Sequence, residues 1–240
     1  MMKKKFIFVL ASTACMLSAC QLNPTQHHEN LSLEKDQLSS YLWQYQPNQK
    51  IAALQLNFDK AGGLFIQTPC NNQSGTWQQQ DATHFSTSNL ASTMKMCAPE
   101  QMQLERWSAQ LLSNQKLKYA VAGSKDAATL TLTDSKGQQY QFKGQLKPEI
   151  QYQSQAQTVF FEISPKAVQN SNDLQVREIR YDANGLKQPI TDTWHVLKQP
   201  IQGYQHDPKL AQIIRVKKYT SAQGDVFIYD MTVEQSMTTP

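Results

Sequence analysis

The constraint that weighs most on this chain is a strict alternation of side-chain character. In Ala53-Leu54-Gln55-Leu56-Asn57-Phe58 every second residue is strongly apolar, and Ala128-Thr129-Leu130-Thr131-Leu132-Thr133 repeats the pattern. Side chains in a strand alternate between faces, so each segment has one face to bury and one to wet. Lys60-Ala61-Gly62-Gly63 supplies turn residues before Leu64-Phe65-Ile66, and Asp134-Ser135-Lys136-Gly137 does so before Gln139-Tyr140-Gln141-Phe142. Both pairs are predicted β-hairpins. His84-Phe85-Ser86-Thr87 is a further strand. One segment breaks the pattern. Pro99 stands where a helix tolerates proline, Glu100 and Glu105 follow it, and Leu104, Trp107 and Leu111 recur at i, i+3 and i+7. This predicts a helix of about four turns, with Trp107 read as core rather than as a cofactor platform.

The first residues are of another kind. Lys3, Lys4 and Lys5 precede an apolar run, Phe6–Leu17, which is too short to span a bilayer and reads as a signal peptide. It ends in Leu17-Ser18-Ala19-Cys20, which resembles the lipobox of bacterial lipoproteins. The resemblance implies cleavage after residue 19 and acylation of Cys20, and two or more acyl chains hold a protein on its membrane. By the same resemblance Gln21, where Asp would favour the inner membrane, points to a lipid anchor in the outer membrane, on its periplasmic face. Residues 20–35, rich in Thr, Gln, His and Asn, read as a tether. Without the leader the chain carries 20 Lys and Arg against 19 Asp and Glu. That balance excludes a basic nucleic-acid-binding surface.

Of four cysteines, Cys15 leaves with the leader and Cys20 is expected to be acylated, so Cys70 and Cys97 remain. In an oxidising envelope they are best read as one disulfide, and a zinc site would need ligands that the neighbouring sequence does not offer. Closing that loop stabilises a fold by about 3 to 4 kcal/mol in the chain-entropy view.

Pro69-Cys70-Asn71-Asn72-Gln73-Ser74-Gly75-Thr76-Trp77, then Ser92-Thr93-Met94-Lys95-Met96-Cys97, a helix containing Glu105, and Leu130-Thr131-Leu132 resemble in this order the META/HslJ domain. The match spans about residues 36 to 145 and departs at Pro69 and Lys95. It implies a compact antiparallel β domain with one packed helix, found in envelope proteins linked to stress and to novobiocin tolerance, and it implies no catalytic residue. Read for themselves, Asn71 and Asn72 tolerate turn conformations and Gly75 permits positive φ. The segment reads as scaffold, with an exposed recognition loop at Asn71, Asn72 and Trp77 as the alternative. Downstream, Thr158–Ile163 and Leu174–Ile179 are strand-like. Trp194-His195-Val196-Leu197, Pro200–Pro208, Ile213–Tyr219 and Phe227–Val233 resemble the DUF4377 domain, over about residues 158 to 236.

The expected fold class is therefore mainly β (α+β), with two small antiparallel β domains, the first carrying one packed helix. The expected boundaries are signal peptide 1–19, tether 20–35, first domain 36–146, linker 147–157 and second domain 158–240. There is no Gly-x-Ser-x-Gly elbow, His-Glu-x-x-His, phosphate loop or Gly-x-Gly-x-x-Gly, so no catalytic residue, cofactor or metal is expected. His27-His28-Glu29 reads as solvated tether, and His195 and His206-Asp207 as turn and edge residues, a hydrolase being the least favoured reading. Arg215, Lys217 and Lys218 suit acidic lipid or polysaccharide, and equally the polar face of a strand. The chain is expected to be a non-enzymatic envelope lipoprotein that binds a protein partner, or alternatively an enzyme inhibitor or small-ligand binder. If Cys20 carries the anchor, a Cys20→Ser variant takes up no fatty-acid probe and leaves the membrane fraction; unchanged labelling would refute the lipobox reading.

Overall fold

The computed structural model describes residues 37–166, 168, 171, 173–190 and 193–238. The leader, Cys20 and the tether, with His27, His28 and Glu29, lie outside the described residues. No helix among the described residues is long and apolar enough to cross a membrane.

The alternating segments form strands, and those of the first half close on themselves. β1 (Tyr41–Tyr45), β2 (Leu54–Phe58), β3 (Gly63–Gln67), β4 (Asn72–Gln79), β5 (His84–Thr87), β7 (Lys116–Ser124), β8 (Ala127–Thr133) and β9 (Gln139–Leu146) follow one another around a ring, every pairing antiparallel. β9 returns to β1, with Trp43 opposite Gly144, which completes an eight-stranded barrel. β6 (Ala91–Ser92) adds to β4 outside the ring. A barrel of eight strands is just wide enough for side chains to fill. The inward positions do so: Trp43, Leu54, Leu56, Phe58, Leu64, Phe85, Leu130, Leu132 and Phe142 are fully buried. Phe58, Trp77 and Phe85 meet edge to face, with ring centroids 5.2 to 6.3 Å apart.

The predicted helix is α1 (Pro99–Leu112). Its contacts all come from one end of the barrel. Trp107 stacks on Tyr45 at 4.4 Å and meets Tyr140 edge-on at 5.3 Å, while Leu104, Leu111 and Leu112 join the barrel core. Trp107 is thus a packing residue that helps to close that mouth. At the other end, where β1 begins, Leu38 is buried in the same core and its carbonyl accepts a 2.9 Å bond from the Trp43 indole.

Two glycines are required by close approach. A Cβ on Gly144 would lie 2.7 Å from the Trp43 ring, so the inward glycine makes room for that indole. Gly75 corrects the sequence reading. It lies within β4 without positive φ, and what it supplies is space: a Cβ there would meet Leu90 at 2.8 Å and the Ser88 hydroxyl at 2.9 Å.

The second half forms a sheet in the order β12 (Lys187–Pro189), β11 (Leu174–Tyr181), β10 (Gln157–Ile163), β15 (Leu210–Ser221), β16 (Gly224–Met237) and β14 (Ile201–Gln202), with β13 (His195–Leu197) also on β11. One pairing departs from the antiparallel expectation, since the two residues of β14 run parallel to β16. Val159, Phe161, Ile163, Val176, Ile214, Val216 and Phe227 form a separate core, closed by Leu197 and Ile201. Between the two halves, 147–157 holds a helical turn, α2 (Pro148–Gln151), and is bonded on both sides. Lys147 donates to the Phe58 carbonyl at 2.9 Å, Tyr219 donates to Glu149 at 2.9 Å, and the Tyr152 and Tyr219 rings meet at 5.6 Å.

Deleting a filled inward position leaves a cavity, whereas truncating an outward one does not. Phe85→Ala is expected to destabilise the protein by about 3 to 5 kcal/mol, and Phe65→Ala, on the outer face, by less than about 1 kcal/mol; urea unfolding measures both.

Candidate functional site

The segment before β4 is folded by its own polar groups. The Thr68 hydroxyl donates to the Asn71 carbonyl at 2.7 Å and accepts the backbone N–H groups of Cys70 and Asn71 at 3.2 and 3.0 Å. This tight turn aims Cys70 at Cys97, and the two form a disulfide with Cα atoms 5.8 Å apart. The covalent link joins the start of β4 to the residues that enter α1.

Asn71, 4% exposed, sits beneath this link with all its hydrogen-bonding capacity used. Its Oδ1 accepts from the Lys95 backbone N–H at 2.7 Å and from the Thr93 hydroxyl at 2.9 Å. Its Nδ2 donates to the Lys95 carbonyl at 3.1 Å and to Glu105 Oε2 at 2.8 Å. The other Glu105 oxygen accepts from Ser92 at 3.1 Å. Gln73, also buried, donates to the Glu105 carbonyl at 3.1 Å and accepts from the Ser108 hydroxyl at 2.9 Å. One carboxamide, one carboxylate and one disulfide thus fasten strand, loop and helix together. In low dielectric such a satisfied network is rigid, and leaving any member unpaired is costly.

The residues that build this sheet, turn, disulfide and helix match a family model. A META domain is detected at residues 37–147. No curated protein and no solved structure matches the chain. Within the META domain the motif residues Cys70, Asn71, Thr93, Cys97 and Glu105 all belong to the internal fastening just described. Asn71 and Trp77 are therefore withdrawn from the surface. Trp77 is 4% exposed, with its indole N–H donating to the Asp59 carbonyl at 2.9 Å. Of the three residues considered for recognition, only Asn72 is exposed.

Asn72 lines an open groove of about 570 Å³ on the outer face of the META domain barrel, with Phe65, Gln67, Ser74, Ala91 and Thr93. Phe65 is 49% exposed there, an aromatic face set among amide and hydroxyl groups. This groove is the candidate binding surface. Sequence reasoning missed Phe65 as an exposed residue, although its outward register was legible: Leu64 and Ile66 alternate with it.

His195 and His206 both lie in the second sheet region, in different settings. His195 is exposed on β13. A ring nitrogen of His206 lies 3.1 Å from the Ser164 carbonyl, while Asp207 accepts the Lys209 backbone N–H at 2.9 Å. Among the described residues, neither a carboxylate nor a hydroxyl hydrogen-bonds either ring. At the edge of the META domain, Asp81, Thr83 and His84 do cluster, but both the carboxylate (2.9 Å) and the hydroxyl (3.0 Å) lie on His84 Nδ1. A catalytic relay needs them on opposite ring nitrogens. The Thr83 backbone N–H and the His84 side chain hold Asp81 down at about 2, as a turn-capping carboxylate. The basic residues of β15 are self-paired: Arg215 with Asp230 at 2.5 Å and Lys218 with Asp225 at 2.8 Å, and Lys217 donates to Thr158 at 3.1 Å. Among the described residues, no group of three or more His, Cys, Asp or Glu side chains is placed to hold a metal ion.

Asn71→Leu removes the clamp while keeping the volume. It strands the Lys95 backbone groups and the Glu105 carboxylate, and should destabilise the oxidised protein by about 2 kcal/mol or more, whereas Asn72→Ala stays within about 0.5 kcal/mol of the parent. Thermal melting of the two variants side by side measures the difference.

Proposed function

We propose that the protein is an outer-membrane-anchored envelope lipoprotein whose META domain acts as a non-catalytic binding or accessory module in envelope stress or novobiocin-type antibiotic tolerance. The observation that carries this reading is the filled barrel. Its interior is occupied by aromatic and aliphatic side chains and α1 lies across one mouth, so recognition falls to the outer surface. There the groove of Phe65, Asn72, Ser74 and Thr93 combines an exposed aromatic ring with uncharged hydrogen-bonding groups, a composition suited to the surface of another protein. The lipobox-like Leu17-Ser18-Ala19-Cys20 and the tether after it support the anchored location. Residues 158–236 are assigned by the same reading to a DUF4377-like domain; their separate core supports an independent second module.

A second reading, small-ligand binding, is favoured by one observation. A cleft of about 600 Å³ lies between the outer face of β1 and β2 and residues 147–150; Asn57 lines it, and the Asn57 side-chain oxygen is buried without a hydrogen-bond partner among the described residues. Lys147 borders the same cleft, and burial holds its ammonium below the ordinary value. A small molecule bound there whose donor reaches the Asn57 oxygen would satisfy it.

A photo-crosslinking residue at Phe65 or Asn72 in intact cells separates the two. The partner reading expects one discrete protein adduct from both groove positions and none from Gln141, on the outer face of β9. Absence of adducts from the groove, or the same adducts from Gln141, would overturn it.

A further inference from the structure

Thr93 to Ala98 runs without helix, turn or bend, and without positive φ. The Asn71 carboxamide bonds both the N–H and the carbonyl of Lys95, which requires extended backbone at that residue, and the side chains flanking an extended residue project to the same side. Lys95 is held from below at both its backbone N–H and its carbonyl by Asn71, and Cys97 is held by the disulfide. The residues on either side of Lys95 are Met94 and Met96, which are 98% and 94% exposed. These are long apolar side chains that no contact with the fold accounts for, mounted two residues apart on a segment that the protein fastens with three bonds to the Asn71 side chain and a disulfide.

Two thioethers on the same side of one short segment are a soft-donor pair. Thioether sulfur favours Cu(I)-like ions over Zn(II), Mg(II) or Ca(II), and each methionine has three rotatable side-chain bonds with which to bring its sulfur to a shared ion. Clamping the backbone matters for such a pair, because the entropy of bringing the two Cα atoms into register is already lost on folding. Lys95, the intervening residue, projects to the opposite side in an extended run, which keeps its ammonium away from an ion held between the sulfurs.

We propose that Met94 and Met96 form a surface site for a soft monovalent metal ion of the Cu(I) class, with the Asn71 clamp and the Cys70–Cys97 disulfide as its rigid mount. The site is separate from the groove proposed for a protein partner and does not depend on it.

The methionine composition supplies an internal control. Five methionines follow Cys20: Met94, Met96, Met102, Met231 and Met237. Met237 is 80% exposed and without a neighbouring thioether in sequence, so it reports what exposure alone does. The full chain, purified in detergent with ¹³C-methyl methionine, is titrated with silver nitrate in chloride-free buffer, silver standing in for Cu(I) without a reductant that would threaten the disulfide. The expected result is a shift of the Met94 and Met96 methyl signals that saturates at one equivalent while Met237 stays in place. Met94→Leu or Met96→Leu, each an exposed change of nearly equal volume, should weaken binding by about tenfold or more, since each removes one of the two donors. Anaerobic Cu(I) under ascorbate should reproduce the same two shifts. No shift at one equivalent, parallel movement of Met237, or unchanged binding in both leucine variants would each overturn the proposal.

Discussion

Ring closure governs the first half of this molecule. Once β9 pairs with β1 and β3 pairs with β4, no strand of the ring has a free edge and every inward side chain must fit a fixed volume. The consequences are local and steric. Trp43 can be accommodated only because its cross-strand partner is Gly144, and β4 can pass beneath Ser88 to Leu90 only because Gly75 lacks a Cβ. An aromatic cluster of Phe58, Trp77 and Phe85 then occupies the space that a wider barrel would leave for a ligand. With eight strands the interior is filled by side chains, and the open groove lies on the outer surface.

The long connection between β6 and β7 would be loosely held if hydrophobic contact alone fastened it. Leu104, Leu111 and Leu112 anchor the later part of α1 in the core, but its entry is solvent-facing, and there the chain uses Asn71, Glu105 and the disulfide instead. The buried carboxamide is suited to the task because it offers two donors and two acceptors in one plane, enough to grip both backbone groups of Lys95. Aspartate would lack the donors and leucine both kinds of group. Polar burial here specifies a single loop conformation, which a greasy contact would not.

Much of this was legible in the sequence. The hairpins β2–β3 and β8–β9 announce themselves through alternation flanking Gly62-Gly63 and Gly137, and α1 through Pro99 and its leucine spacing. The strands that escaped notice did so for separate reasons. β4 places Gln73 and Gly75 at two of its inward positions, so it lacks an apolar alternation and reads as a turn-rich segment. In β7, Lys116-Leu117-Lys118-Tyr119 does alternate, but over only four residues with no turn residue of the Gly or Pro kind directly before it. Closure itself leaves no local trace, because β1 and β9 lie at opposite ends of the domain sequence. Nor does hydropathy reveal a buried Asn71: polar residues next to Cys are ordinary in exposed turns, and only the fold shows that Lys95, Thr93 and Glu105 converge on this one.

The second sheet solves its surface problem by pairing charge with charge. Glu162 meets Arg177 across adjacent strands, Arg177 also lies 5.0 Å over the Trp194 ring, and Asp230 and Asp225 hold the basic residues of β15. A strand whose cations are already neutralised attracts acidic lipid or polysaccharide weakly, because a new anion must displace a partner at contact distance before it gains anything. The META domain has another arrangement: it buries a polar network in the clamp, while Phe65 and Asn72 of the groove and Met94 and Met96 of the loop are exposed. Thr93 joins these two features, since its hydroxyl completes the Asn71 clamp while its position borders the groove, so the element that fixes the loop also fixes one wall of the candidate binding surface.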